Sequence, residues 1–429
     1  MQNQFLNLGL QENIVKALND LKIENPTEIQ SKIIPLILEN KNDIVGLAKT
    51  GTGKTAAFGL PLLQLVNTKS PEIQIVILVP TRELGNQIFK NLENFAKFLP
   101  EISIASICGG IPIKPQIERL STATHIVVAT PGRLIDLIKR RAINISAAQY
   151  LVLDEADEMI SILKESLDEI ASELPKSRRT YLLSATMPGT VKQLVQNYLH
   201  KNVIHIEANM ETVGNTTIDH EYIIVEPEEK LNVLMHFLNS KEGQQGIIFC
   251  KTKAAVNKLA KNLAINKFSS GALHGSLSQG IRDRIMEQFR NGFINVLIAT
   301  DLASRGLDIP DVKFVLNYHL PDVSEAYVHR SGRTARAGAT GLSLTVLQPD
   351  EENQIPLFEN ELGIKFKKFV KPTQLNIEEN NMLLWSKQIF KTKPNQEISL
   401  NLKDKIKTIF HHLTKDELIE KLIANQIKK

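Results

Sequence analysis

The chain has 429 residues, 42% of them apolar, enough for two or three domains with substantial cores, and its formal charge is only +4. No apolar stretch reaches the roughly 18 residues that span a bilayer, and no basic residue precedes Lys16, so neither membrane insertion nor export is expected and the cytoplasm is the expected compartment. The two cysteines, Cys108 and Cys250, lie far apart with no C-x-x-C partner, which argues against a disulfide framework or a zinc site and fits a reducing environment.

In chain order, short apolar runs alternate with longer helix-like stretches, the pattern of an α/β protein built on doubly wound parallel sheets. Five runs in the first half, "DIVGLAKTG", "IVILVPTRE", "IVVATPGR", "LVLDEAD" and "TYLLSAT", end in polar residues. Strand C-termini form the edge at which open α/β sheets bind ligands. The second half repeats the layout with "GIIFCKTK", "VLIATDLASRG", "FVLNYHLP" and "GLSLTVLQP". Ile126–Thr130 "IVVAT" and Val296–Thr300 "VLIAT" correspond closely, which suggests two similar lobes, residues 1–208 and 219–370. Between them "EANMETVGNTTIDH" lacks a strong apolar period and contains Gly214, so 209–218 is the expected linker.

From Lys371 onward there are 11 lysines, no arginine and 7 acids, so the tail 371–429 carries the whole excess of +4 while residues 1–370 balance at 40 basic and 40 acidic. Such a surface either solvates helices or touches nucleic acid. Leu402, Ile406, Ile409 and Leu413 recur at helical spacing, and "TKDE" from Thr414 resembles a capping box opening a second helix with Leu418, Leu422 and Ile423 inward. A helical hairpin docked on the second lobe is expected, with pairing to another chain as the other option.

"GLAKTGTGKTAAFGL", Gly46–Leu60, nearly spells the phosphate-loop pattern G-x-x-x-x-G-K-[ST], with Ala48 where the first glycine falls. It sits between a plausible strand and a plausible helix start. Backbone N–H groups of Thr50, Gly51, Thr52, Gly53 and Thr55 would face phosphates, Lys54 would reach the β- and γ-phosphates, and the Thr55 hydroxyl would bind Mg²⁺. "LVLDEAD" supplies the complementary carboxylates. Asp154 would hold the metal, partly through water, while Glu155 orients or deprotonates the attacking water. Read alone, D-E-A-D also suits a solvated helix N-terminus. His329, Arg333 and Arg336 stand at i, i+4 and i+7, one face of a helix starting near Ser324, where mutual repulsion would be relieved by an anion.

Together these residues resemble the DEAD-box RNA helicases over roughly residues 5 to 345. That family's phosphate motif is A-x-T-G-x-G-K-T, which "AKTGTGKT" matches with its alanine. "PTREL", Gly109 with Gly110, "TPGR", "DEAD", "SAT", "QGIR", "TDLASRGLD" and "HRSGRTAR" follow in the family's order. The resemblance implies two tandem RecA-like lobes, ATP and Mg²⁺ as cofactors, and RNA as partner. It implies that Gln30 reads adenine with Phe5 near the base, although Lys22 and Ile23 replace the usual glycine and aromatic. It makes Arg333 and Arg336 arginine fingers, with His329 beside them and Asp308 near the ribose; Ala335 stands where a glycine is usual. It places Pro80, Thr81, Arg82, Gly110, Thr130, Arg133, Arg282 and Thr300 in an RNA groove, where backbone contacts carry little sequence information. Each threonine or glycine of that set is also an ordinary structural residue. Asp157, Ser184 and Thr186 would couple hydrolysis to the interlobe surface. An RNA-stimulated ATPase that separates short duplexes or remodels ribonucleoproteins is expected, acting in such settings as ribosome assembly or RNA decay, with no membrane contact and an optional homodimer through the tail. A DNA translocase and a nucleotide-gated RNA clamp are the rival readings.

Overall fold

A computed structural model describes residues 3–48, 51–208, 218–304, 312–335, 339–393 and 399–427. The first seven strands are β1 (Asp43–Leu47), β2 (Ile75–Leu78), β3 (Ile104–Ile107), β4 (Ile126–Ala129), β5 (Tyr150–Asp154), β6 (Arg179–Ser184) and β7 (Val203–Glu207). They form one parallel sheet in the order β3-β4-β2-β5-β6-β1-β7. A second parallel sheet contains β8 (Ile218–Ile224), β9 (Gly246–Phe249), β10 (Ser270–Leu273), β11 (Val296–Ala299), β12 (Phe314–Asn317), β13 (Gly341–Leu347) and β14 (Lys367–Lys368). Its order is β10-β11-β9-β12-β13-β8-β14, the same winding shifted by seven strands. In that alignment β4 corresponds to β11, so the "IVVAT" and "VLIAT" runs occupy equivalent places.

Both sheets are covered on both faces, which explains why their central strands are apolar throughout and not alternating. Period-two geometry then divides each run between two cores. Ile75, Ile77, Ile126 and Val128 enter one, packed under the helices 28–39, 54–65 and 82–95, while Val76, Leu78, Val127 and Ala129 enter the other. In the second lobe Ile248 and Ile298 face one core, and Ile247, Phe249 and Leu297 the opposite one.

The winding sorts the polar strand ends. In the first sheet β5, β6 and β1 are adjacent, and they carry "DEAD", "SAT" and the phosphate loop. The other half, β3, β4 and β2, carries Gly109 with Gly110, "TPGR" and "PTREL". One edge of one sheet thus holds two neighbouring groups of functional residues.

Of the expected linker, 209–217 lies outside the described residues and Ile218 is already the first residue of β8. The tail contains three described helices, Gln374–Lys391, Leu400–Phe410 and Lys415–Ile427, where two were expected. The additional one packs against the second-lobe helix Lys230–Ser240. Thr414 caps the last helix as the sequence suggested: its hydroxyl accepts from Glu417 N–H, and the Glu417 carboxylate accepts from Thr414 N–H at 2.7 Å. The expected burial of the stripe is corrected by the structure. Leu402, Ile406 and Ile409 are all exposed, because the docked helix 374–391 and not the hairpin takes the place against the second lobe.

Candidate functional site

The phosphate loop ends at Gly53, and Lys54 opens the helix Lys54–Leu65. Gly51 and Gly53 have φ of +85° and +86°, a region closed to most side chains, and a Cβ on Gly53 would lie 2.2 Å from Gln30 Nε2. The helix therefore starts with its backbone N–H groups exposed to a ligand above the loop. Lys54 is 7% exposed, and its Nζ has no hydrogen-bond partner among the described residues. A buried ammonium without a partner is expensive, and a phosphate is the natural group to satisfy it. Thr55 follows, half-buried; Thr50 lies outside the described residues.

Asp154, the last residue of β5, is buried, and desolvation pushes its carboxyl up to about 6 despite the nearby Lys54 charge. Glu155 follows in a left-handed conformation, φ +52° and ψ +52°, donating its N–H to Asp154 Oδ1 at 3.0 Å. A non-glycine residue held in that region is strained, and such strain persists where surrounding structure fixes a side chain for use. Among the described residues, no group of three or more His, Cys, Asp or Glu could hold a metal unaided. The set Thr55, Asp154 and Glu155 suits Mg²⁺, which keeps water and draws further ligands from phosphate oxygens.

Asp157 accepts from both the N–H (3.1 Å) and hydroxyl (2.9 Å) of Thr186, while the Ser184 hydroxyl donates to the Thr186 carbonyl at 2.8 Å. From the second lobe, His329 Nε2 comes within 3.4 Å of Asp157 and 3.6 Å of Glu158. Burial alone would raise Asp157 and lower His329. Their mutual hydrogen bond and charge reverse both, holding Asp157 below the usual carboxylate range and His329 above its ordinary value. The three residues expected to couple the sites do sit together, joined by a histidine from the other lobe.

The expected shared helical face of His329, Arg333 and Arg336 is corrected. The helix is Ser324–Ser331, so only His329 belongs to it. Gly332 closes it with N–H donated to the Val328 carbonyl at 2.9 Å, and Thr334 then bridges to Val312, drawing the chain out of helical geometry. Arg333 lies in that turn, 7% exposed, while Arg336 and Asp308 lie outside the described residues.

The adenine pair is also placed differently. Phe5 is 0% exposed and belongs to the core, since its 3₁₀ turn Gln4–Leu8 packs under the helix 28–39. Gln30 Oε1 accepts from Thr27 N–H at 2.9 Å and its Nε2 donates to the Gly53 carbonyl at 3.1 Å, so both ends of the amide are engaged. Thr27 Oγ1 adds a bond to the Thr52 carbonyl at 2.8 Å. In this conformation Gln30 and Thr27 hold the phosphate loop from below.

Across β3, β4 and β2, Thr81 caps the helix Arg82–Phe95, with Pro80 just before it, and Thr130 Oγ1 accepts from Gly109 N–H at 3.1 Å. Arg82 makes only a long contact, 3.4 Å, to the carbonyl of Gly110, itself at φ +81°, and its buried Nε has no partner among the described residues. Arg133 is bound to Gln116 Oε1 at 2.7 Å and to the Ile111 carbonyl at 2.8 Å. Arg282 does not point freely from the second lobe. It pairs with Glu83 of the first lobe at 2.9 Å and donates to the Ala303 carbonyl, beside half-buried Thr300, with Gln279 reaching the same Glu83 at 3.3 Å. Glu83 and Glu158 were missed in the sequence, because one sits inside "PTREL" and the other just after "DEAD", motifs whose other letters carry the chemistry. Arg330 was missed too. It is in the last turn of the helix 324–331, buried, bidentate to Asp301 at 2.6 and 2.7 Å, and bound to Asn317 and the His319 carbonyl.

Two sheets of one winding, a phosphate loop with an orphaned lysine on the first, and ion pairs joining the lobes beside it define a two-lobed nucleotide-driven ATPase. Family models match as "DEAD/DEAH box helicase" over residues 27–194, "Helicase conserved C-terminal domain" over 229–338, and "Probable ATP-dependent RNA helicase, helical domain" over 377–429. The DEAD-box ATP-dependent RNA helicase CshA of Geobacillus kaustophilus is 38% identical over 371 residues, covering 86% of this chain and 79% of that protein. CshA of Bacillus subtilis is 38% identical over 376 residues, 86% of this chain and 74% of that one. Among solved structures, Dbp5 of S. cerevisiae bound to RNA and ADP BeF3 superposes with a TM-score of 0.78 at 29% identity, covering 90% of this chain and 99% of that one. Mss116p bound to ssRNA and AMP-PNP gives 0.78 at 27% identity, covering 96% and 86%. The chain belongs to the DEAD-box family and is an ATP-dependent RNA helicase with tandem RecA-like lobes.

Proposed function

We propose that ATP hydrolysis takes place between the loop 51–55 and Glu155, and that the second lobe completes the site through His329, Arg333 and Arg336. The observation that carries this reading is the buried Lys54 amine, without a hydrogen-bond partner among the described residues, beside the adjacent acids Asp154 and Glu155. Lys54 and the loop N–H groups hold the phosphates. Mg²⁺ bound by Thr55 and Asp154 would neutralise phosphate charge as it develops. Glu155 orients water for attack on the γ-phosphorus and takes its proton as the bond to the β-phosphate oxygen breaks. Arg333 and Arg336 stabilise charge on the transferred group, and Asp308 contacts the ribose.

RNA lies on the adjoining strand ends, against Pro80, Thr81, Arg82, Gly110, Thr130 and Arg133, with Thr300 from the second lobe. Hydroxyls, amides and guanidinium groups suit phosphate and ribose contacts, so binding depends on salt more than on base sequence. The pair Arg282–Glu83 supports the reading that closure and RNA binding are linked, because it joins the lobes beside that groove. Gln30 contributes to nucleotide choice by holding the loop and, after it shifts, by reading the adenine edge above buried Phe5. The work done is local duplex separation or remodelling of ribonucleoproteins in the cytoplasm, and the exposed stripe 402–409 serves a second copy of the chain.

The test is ATP turnover with RNA, with DNA of the same sequence and with neither, beside a short-duplex unwinding assay. RNA should stimulate turnover and DNA should not, since a groove reading ribose senses the 2′-OH. Equal stimulation by DNA would overturn the RNA assignment.

A further inference from the structure

The helix 324–331 reaches Asp157 of the first lobe through His329, and its last turn is anchored within the second lobe by Arg330. The Arg330 side chain is 3% exposed, and its planar fork is used on both edges. Nε and Nη2 donate to the Asp301 carboxylate, while Nη1 donates to Asn317 Oδ1 at 3.0 Å and to the His319 carbonyl at 2.9 Å. The guanidinium also lies over the Phe249 ring, 5.2 Å from its centroid. The Arg330 carbonyl in turn accepts from the Arg333 N–H at 3.1 Å, so the turn that carries Arg333 starts from this anchored residue.

Asp301 stands at the other end of the connection. It follows Thr300 at the end of β11 and opens the helix Asp301–Ser304. In that helix the Ala303 carbonyl accepts from Arg282 at 3.0 Å, and Arg282 is the residue paired with Glu83 of the first lobe. The shared winding makes β11 the counterpart of β4, yet β4 runs into "TPGR" and β11 into "TDLA". Between these two turns the carboxylate belongs to the second lobe alone. A buried ion pair contributes little net stability, because desolvation offsets its attraction. Fixed geometry between the groove end of β11 and the helix 324–331 is the better account of it.

We infer that Arg330 and Asp301 are positioning residues for hydrolysis. Contacts at Thr300 and Arg282 fix the helix 301–304, Asp301 orients Arg330, and Arg330 sets the turn from which Arg333 reaches the nucleotide. Neither side chain of the pair touches substrate. The inference rests on the roles proposed above for Arg333 and for the groove.

RNA-stimulated ATP turnover by the full-length protein tests it. Asp301 is the residue to change, since its side chain is 32% exposed and asparagine fits its place; unchanged circular dichroism checks the fold. Asp301→Asn should lower kcat about tenfold or more, with KM for ATP within about threefold, and Asp301→Glu should recover most of the loss. On an Arg333→Ala background, Asp301→Asn should cost less than about twofold more, because residues acting through one another are not additive. A general loss of structure would add in full. Full additivity on that background, or an unchanged rate for Asp301→Asn beside an impaired Arg333→Ala, would overturn the positioning role and leave the finger assignment standing. An unimpaired Arg333→Ala would overturn the finger assignment, and the positioning role with it.

Discussion

The two lobes share one winding and can be compared at the turn after the first strand of each sheet. After β1 the chain forms a glycine loop, and Lys54 begins the next helix; after β8 the chain runs "VEPEEK", and Lys230 begins the next helix. Both lysines are buried, 7% and 5% exposed. Lys54 has no hydrogen-bond partner among the described residues, whereas Lys230 donates to the Tyr318 carbonyl at 3.4 Å and lies within the field of Glu351 and Asp350. Glu229, just before that helix, makes no side-chain cap to it; its carboxylate accepts from the Glu226 N–H at 3.1 Å and meets Lys371 at 2.7 Å. A helix N-terminus attracts an anion. The first lobe presents its helix start behind a loop with Gly51 and Gly53 at positive φ, whereas the second lobe has no glycine between Ile224 and Lys230. One architecture thus carries a glycine loop in one copy and a lysine engaged by a carbonyl in the other, and the loops set the two apart.

The largest effect is expected at Arg333, the second lobe's proposed contribution to chemistry. Arg333→Ala should lower RNA-stimulated turnover by ~10³–10⁵, the range of arginine fingers elsewhere; a loss under tenfold would leave the second lobe a clamp only. Glu155→Gln sharpens the first-lobe assignment. It should lower kcat by about 10²–10⁴ with nucleotide and RNA affinity kept, measured by single-turnover hydrolysis and equilibrium titration.

A smaller effect follows from the interlobe histidine. Because His329 is raised above its ordinary value in the closed form, its contribution to closure is complete below that ordinary value and is lost as pH rises through the raised one. Asp157 is held low, so its contribution is present above the ordinary carboxylate value and is lost only as pH falls towards its lowered one. RNA affinity in the presence of a non-hydrolysable ATP analogue should therefore fall on the alkaline side, and His329→Gln should flatten that limb. An unchanged profile would remove His329 from closure. The smallest expected change is at Ala335, whose φ is +60° where a glycine would be unstrained. Ala335→Gly should stabilise the protein by about 1 kcal/mol or less, read as a rise in denaturant midpoint.

Much of this was legible in the sequence because strand ends carry the chemistry. The runs "IVIL", "IVVA" and "VLIA" are buried on both faces and therefore apolar throughout, so they stand out from helices, and the residues after them fall at one edge. Less was legible where tertiary context decides. β7 is a half-exposed edge strand and β10, "SGAL", contains a glycine, so neither has a clear period. The helical spacing of His329 and Arg333 suggested one face, but Gly332 and the Thr334 bridge end the helix between them. Gln30 could equally read a base or hold a loop, since an amide both donates and accepts; only the structure shows it bound to Thr27 and Gly53. The stripe 402–409 announced a helix, as found, but its period does not say which partner covers it.

The lysine after β1 has no hydrogen-bond partner among the described residues and stands behind a glycine loop, whereas the lysine after β8 is engaged by the Tyr318 carbonyl, so the first turn and not the second is expected to take nucleotide. Calorimetric titration of the full-length protein with a non-hydrolysable ATP analogue and saturating RNA tests it most directly. One nucleotide should bind per chain, binding should be lost with Lys54→Ala, and Lys230→Met should leave it intact with at most a loss of thermal stability. Two nucleotides per chain, or loss of binding with Lys230→Met in a folded protein, would contradict it.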